Sequence, residues 1–340
     1  MGILKIGKKL ISTEKNSIYI IAEAGIGHFG SLLLAKKLVN LAKDSGADAI
    51  KFQAYLTEDL ISKNYKKWFK RYKSKEVDLV FFKKIHNYCK KKSIEFLLTP
   101  HTESVFNWVK KLNLSAIKVG SGEIGNFGFL DKLMNMNKPL IISTGMHSLE
   151  DLKKLKNFVI KKRFKKICFL KCRTVYPTKD KDVHLNNFLK FKNFFKNYLV
   201  GYSDHTNHDL AIMGSVFFGA KIIEKHISIK FNVKNAQDWK VSFNSQQMKE
   251  MNFKLRRIEN ILGNPKLFVT SSELKSKIWA TRSWHSCKNI KKNQILNKSN
   301  LIALRPGNGI AVSDYDKILG KKIKKNILSK KKILLDDLKN

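Results

Sequence analysis

The chain repeats one pattern eight times, a short apolar run followed by a helix-compatible stretch, and this narrows its fold more than any other feature. The runs are 18–25 (IYIIAEAG), 49–55 (AIKFQAY), 95–101 (EFLLTPH), 116–123 (AIKVGSGE), 139–146 (PLIISTGM), 166–174 (KICFLKCRT), 199–205 (LVGYSDH) and 221–227 (KIIEKHI). Each is continuously apolar rather than alternating, as expected for parallel strands covered on both faces. Helical spacing follows at 31–45, 78–92, 104–112, 127–136, 148–162, 185–196, 209–219 and 246–261, with Gly46 placed to end the first helix and Ser148 to cap another. Eight such steps in about 210 residues argue for a closed (β/α)8 barrel, the TIM-barrel architecture. An open doubly wound sheet is the alternative, but no glycine fingerprint follows the first strand. The stretch 63–75 reads as a basic, polar loop. The reading divides the chain into a catalytic barrel over 1–262, a linker over 263–278 and a small, mostly β domain over 279–340.

A barrel builds its site at the C-terminal ends of its strands, and here those ends are polar. His205 and His226 close the last two runs, so parallel neighbouring strands bring two imidazoles toward one point. Two imidazoles beside carboxylates suit manganese, zinc or iron. Lys51, Thr99, Lys118, Ser121, Thr174 and Ser203 form a set of cations and hydroxyls suited to a small, multiply charged anion such as a phosphate or carboxylate. Glu23, Glu123, Glu224 and Asp238 supply carboxylates for proton transfer or for sugar hydroxyls. Any one of these residues alone is better explained as a helix cap or a solvated charge; the coincidence over eight strand ends carries the reading.

Composition sets the outer bounds. With 43% hydrophobic residues the chain can bury a full core, and no apolar run approaches a membrane span. The start, MGILKIGKKL, lacks the apolar region of a signal peptide, so a cytoplasmic location is expected. Cys89, Cys168, Cys172 and Cys287 form no CxxC pair and read as free thiols. The formal charge of +40 raises the possibility of a nucleic-acid partner. The lysines, however, are spread along the whole chain without an aromatic stacking platform, which reads as solvated faces rather than a specific nucleic-acid surface.

Eight segments taken together, IIAEAGIGHFG, GADAIKFQAY, IKVGSGEIGN, PLIISTGM, Tyr176-Pro177, GYSDHT, GAKIIEKHI and RPGNGI, resemble the sialic acid (N-acetylneuraminate, or nonulosonic acid) synthase family over about residues 17–335. The resemblance implies a (β/α)8 barrel followed by a small antifreeze-like (SAF, β-clip) domain. It also implies condensation of phosphoenolpyruvate with an N-acyl amino sugar. His205 and His226 resemble the family's Mn2+ ligands. Lys51, Thr99, Lys118, Ser121 and Ser203 resemble its phosphoenolpyruvate pocket, with Tyr176 beside it. Glu23, Gln53 and Asp238 resemble residues that hold the sugar. Glu123 and Glu224 resemble carboxylates handling water and protons. Arg305, in RPGNGI, resembles an arginine that a domain-swapped homodimer inserts over the other subunit's barrel. The chain departs from the family at Gly27-His28-Phe29-Gly30, at Arg173-Thr174 and at Ala236-Gln237-Asp238-Trp239, and its loop after the second strand is shortened near Lys63. These changes leave the sugar open; Trp239 would add apolar surface suited to a 6-deoxy diacetamido hexose. Two other readings stand beside the synthase: a metal-independent Schiff-base aldolase using Lys51 or Lys118, and a non-catalytic nucleic-acid binder.

Overall fold

The computed structural model describes residues 2–234 and 236–339. Eight parallel strands close into a barrel: β3 (Tyr19–Gly25), β4 (Ala49–Ala54), β5 (Glu95–Pro100), β6 (Ile117–Val119), β7 (Leu140–Ser143), β8 (Ile167–Cys172), β9 (Leu199–Asp204) and β10 (Ile222–His226). β10 pairs with both β9 and β3, which seals the sheet. Side chains alternate between the interior and the helix layer, so parity along each strand decides function. Ile20, Ala22, Ile50, Phe52, Phe96, Leu98, Phe169 and Ile223 face the helices and join the large outer core. The opposite parity faces inward, and its lower layer is apolar: Tyr19, Ile21, Ala49, Leu97, Ala116, Ile141, Cys168, Leu170, Leu199 and Ile222. Two residues further along these strands, or four on β9, the interior turns polar, at Glu23, Lys51, Thr99, Lys118, Ser143, Ser203 and Glu224, all buried.

Before the barrel, β1 (Ile3–Ile6) and β2 (Lys9–Ser12) form an antiparallel hairpin turning at Gly7, whose φ is +55°. Leu4, Ile6 and Ile11 from the hairpin join the lower interior layer. The hairpin therefore closes the N-terminal end of the barrel, and the mouth at the C-terminal ends is left open to a ligand. No helix among the described residues is long and apolar enough to cross a membrane.

Two sequence expectations need correction. Within 63–75, read as a loop, Lys66–Lys73 is a helix that buries none of its residues fully. Within 263–278, read as a linker, lies most of a helix, Ser271–Ala280, started by a capping box between Thr270 and Glu273. The chain separates into two compact units at Gly263/Asn264. In the second unit, β11 (Ser283–Ser286) pairs antiparallel with β12 (Leu301–Leu304). Its core is a cluster of Ile290, Leu296, Leu301, Ile310, Ile318, Ile323, Ile327, Ile333 and Leu338.

Candidate active site

The polar interior layer is a single buried charge network. Lys51, from β4, lies 3.1 Å from Glu23 Oε2 and 3.2 Å from Glu224 Oε2, and donates to Thr99 Oγ1 at 3.3 Å. Lys118, from β6, donates to Ser143 Oγ at 2.7 Å and to the Val119 carbonyl at 3.0 Å, and lies 3.7 Å from Glu224 Oε1. Ser203 Oγ donates to Glu224 Oε1 at 2.9 Å. Two cations and two carboxylates from four strands are thus held out of water, with hydroxyls from three more.

Burial and pairing set their charge states differently. Burial would raise Glu224, but Lys118 and Lys51 beside it win and hold its carboxyl low, near 2. Burial dominates at Glu23 and pushes it up to about 7, against the opposing pull of Lys51. Burial would lower Lys51, yet Glu224 and Glu23 together hold it above the usual lysine value. Burial brings Lys118 down to about 8, against the opposing pull of Glu224. The site therefore holds an ionised carboxylate, a carboxyl that titrates near neutrality, a firmly charged lysine and a lysine able to lose its proton. Because the Glu23 value is raised in the folded state, the stability Glu23 contributes is lost as pH rises from about 4.5 through about 7. Urea unfolding of wild type and Glu23→Gln across that window should show the wild type losing ground to the variant as pH increases; a constant difference would contradict the assignment.

At the mouth, the ring centroids of His205 and His226 are 5.3 Å apart, and Tyr176 packs 4.2 Å from the first and 5.8 Å from the second. Burial lowers both histidines, so both imidazoles are neutral, the form that coordinates metal. His205 Nδ1–H donates to the Arg173 carbonyl oxygen, which leaves Nε2 as its free donor atom. Among the described residues no set of three or more His, Cys, Asp or Glu side chains gathers around one point. Two neutral nitrogen donors do fit a divalent ion whose other positions are filled by water or substrate oxygens.

The turn carrying His205 is braced from outside the barrel. Lys225 and Asp204, neither exposed at all, pair at 2.6 Å, and Lys225 Nζ also donates to the Thr206 carbonyl at 2.6 Å. Asp204 Oδ2 accepts from Thr206 Oγ1 at 2.9 Å. Lys225→Met would strand a buried carboxylate and should cost about 3–5 kcal/mol in chemical denaturation; a loss under about 1 kcal/mol would contradict this bracing role.

Two tight spots gather the remaining candidates. Gly25 sits at φ +53°, and a Cβ there would lie 3.4 Å from both Asp238 Oδ2 and Glu23 Oε1 and 3.6 Å from Gln53 Nε2. Gln53 Nε2 itself donates to Glu23 Oε1 at 3.1 Å. A Cβ at Gly145 would run into Thr174 Oγ1 at 2.2 Å, Cys172 Sγ at 2.7 Å and Ser121 Oγ at 3.1 Å. Ser121 Oγ accepts from the Gly145 amide at 2.9 Å, whereas the buried Thr174 hydroxyl has no protein partner. Glu123 stands apart from the buried network: its contacts are His101 Nδ1 at 3.9 Å and Asn126 Nδ2 at 3.3 Å. Arg305 is exposed in the second unit, with its guanidinium 5.7 Å over the Trp279 ring. His28, in the departed GHFG segment, is buried against Phe52 and Phe81, and burial lowers it to about 4, so it packs as a neutral ring.

A cavity of about 300 Å³ opens over the network, lined by Gln53, Tyr176, His226, Asp238 and Trp239 and by four residues the sequence reading did not select, Trp68, Arg71, Tyr72 and Lys75. His101 lines it too, and Ser143, likewise not selected from the sequence, accepts from Lys118 in the buried network. The helix 66–73 supplies Trp68, Arg71 and Tyr72 at three- and four-residue spacing, which places them on one face.

Comparison with known proteins agrees with this architecture. Residues 38–266 match the NeuB family and residues 281–339 match the SAF domain. N,N'-diacetyllegionaminic acid synthase of Campylobacter jejuni is 36% identical over 322 residues, covering 90% of this chain and 96% of that protein. Pseudaminic acid synthase of the same species is 32% identical over 329 residues, 93% of this chain and 95% of that one. A crystal structure of N-acetylneuraminic acid (sialic acid) synthetase from Leptospira borgpetersenii in complex with citrate superposes with a TM-score of 0.75 at 29% identity, covering 81% of this chain and 94% of that one. With its closed eight-stranded parallel barrel and C-terminal SAF domain, the chain belongs to the NeuB family, the family of sialic acid synthases.

Proposed function

We propose that the chain condenses phosphoenolpyruvate with an N-acyl amino sugar, N-acetylmannosamine or a 2,4-diacetamido-trideoxyhexose, and water, giving a nonulosonic acid and phosphate. The observation that carries this reading is the buried Lys51–Glu23–Glu224–Lys118 network beneath a mouth that holds two neutral histidines. Lys51 and Lys118 hold the phosphate and carboxylate of phosphoenolpyruvate, with the hydroxyls of Thr99, Ser121, Thr174 and Ser203 as further donors. Glu23, Gln53 and Asp238, which meet at Gly25, hold sugar hydroxyls, and Tyr176 and Trp239 cover the chain. His205 and His226 would hold a divalent ion such as Mn2+, which when bound supplies Lewis-acid polarisation of the open-chain aldehyde.

C3 of phosphoenolpyruvate donates its electron pair to the aldehyde carbon, forming the new C–C bond. Water adds at C2, and C–O cleavage then releases phosphate and leaves a ketone. Glu224, kept ionised by the lysines, takes a proton from that water and passes it to the alkoxide formed from the aldehyde oxygen, while the water's second proton leaves with the phosphate. The lysines offset charge as it develops on the departing phosphate. The test is incubation with phosphoenolpyruvate and a panel of amino sugars, read by mass spectrometry: a nine-carbon acid formed only when both are present supports the reading, and no phosphoenolpyruvate consumption with any sugar refutes it.

Lys118 favours one alternative, a Schiff-base aldolase, because burial leaves its amine partly unprotonated near pH 8. Borohydride with substrate would then trap a covalent adduct on Lys118, whereas the synthase reading expects none.

The proposal includes a homodimer in which Arg305 of one chain serves the partner's site. Arg305→Ala and His205→Ala homodimers should each be nearly inactive, and co-expressed mixed dimers should regain activity. Mixed dimers that form but stay inactive would rule out this exchange.

A further inference from the structure

Lys171 is a buried lysine with no counter-ion among the described residues; its Nζ lies 5.7 Å over the Tyr202 ring. It sits on β8 at the parity that faces the helices, 8% exposed, and Nζ donates to the Val183 carbonyl at 3.0 Å. Among the described residues no carboxylate pairs with it. Burying an unpaired ammonium is unfavourable, and burial with Arg173 beside it lowers Lys171 to about 8, which still leaves it chiefly protonated at neutral pH. A solvated face, the reading given to the lysines at large, does not explain a lysine held there.

A pocket of about 310 Å³ opens at this point, between β8 and the helices Leu149–Lys161 and Asn187–Phe194. Its lining includes Lys171, Arg173, Lys190 and His147 and no acidic residue, with Phe191 and Phe194 as apolar surface. Arg173 follows Lys171 by two residues, and its Nε is buried without a hydrogen-bond partner. Three cations, one of them buried and one with an unmet donor, thus converge on a space large enough for a small ligand.

We propose that this pocket binds a phosphate group, with Lys171, Arg173 and Lys190 as its cationic wall and Phe191 and Phe194 as a floor for any apolar body attached to it. The site does not depend on the reaction proposed above. It borders the barrel mouth, because the Arg173 carbonyl is the group that receives the His205 Nδ1–H.

The test is thermal unfolding of the full chain against inorganic phosphate and against phenyl phosphate, at ionic strength held constant with chloride. Wild type should be stabilised in a saturable way. Lys171→Met removes the buried charge, and Lys190→Ala changes an exposed residue on a different element. Each should weaken the dose response at least about tenfold, the equivalent of one charge-assisted hydrogen bond. Phosphate binding at the barrel mouth would be untouched by either change, so identical dose responses in wild type and both variants overturn the proposal, as does no stabilisation of wild type by either probe. Tighter binding of phenyl phosphate identifies a phosphate monoester as the ligand; equal binding identifies free phosphate.

Discussion

Lys118→Met and Lys51→Met should each lower kcat/KM for phosphoenolpyruvate by about 2–4 kcal/mol of transition-state stabilisation. The two losses should differ in kind. Lys51 stands between Glu23 and Glu224 at 3.1 and 3.2 Å. Removing it leaves two carboxylates facing one another without their shared cation, so one of them will take up a proton at higher pH. The Lys51→Met pH–rate profile should therefore shift upward along with the loss in rate. Lys118 sits farther from Glu224 and is tied to Ser143. Lys118 also holds Glu224 low, so its replacement should lower affinity for phosphoenolpyruvate and move the Glu224 step of the profile while leaving the Glu23–Lys51 pair in place. In both variants the KM for the sugar should move less than that for phosphoenolpyruvate. Unchanged kcat/KM for phosphoenolpyruvate in both would remove the lysines from the site.

The second large effect is at the histidines. His205→Ala and His226→Ala should each lose at least about a hundredfold in turnover, with the barrel still folded by circular dichroism. Chelation of the wild type should abolish activity, and manganese should restore it. Bound manganese can be followed directly by electron paramagnetic resonance, which should show weakened binding in both variants. The brace beneath His205 makes the comparison informative: its Nδ1 is already committed to Arg173, so only Nε2 is available to a ligand. Full activity in a demonstrably metal-free preparation would exclude the role of both residues.

The barrel was legible because its strands are continuous apolar runs of ordinary length. The site was legible because parity is simple: from Glu23, Lys51, Lys118 and Glu224 on four strands, the interior positions follow at every second residue. What stayed hidden has identifiable causes. Ser143 lies inside PLIISTGM, and nothing in that run tells an interior hydroxyl from a helix-facing one until the barrel register is known. The hairpin Ile3–Ser12 is too short to show a period, although burial alternates along its first strand and Gly7 marks the turn. The helix Lys66–Lys73 has no fully buried face, so its aromatic and basic residues read as a solvated loop. The Thr270–Glu273 capping box was a readable start signal inside the presumed linker. Glu123 reads with the other carboxylates from its strand-end position and from the family resemblance; it sits on the turn Ser121–Glu123, 3.9 Å from His101 Nδ1 and outside the buried network.

The central claim is the condensation with C–O cleavage, and one measurement addresses it most directly. The purified chain is incubated with phosphoenolpyruvate carrying 18O at the bridging oxygen and with the amino sugar found to be consumed, and both products are weighed by mass spectrometry. The account predicts that the label leaves in the inorganic phosphate while an unlabelled nine-carbon acid accumulates. Label retained in the sugar acid, or phosphate released without any new acid, would contradict it.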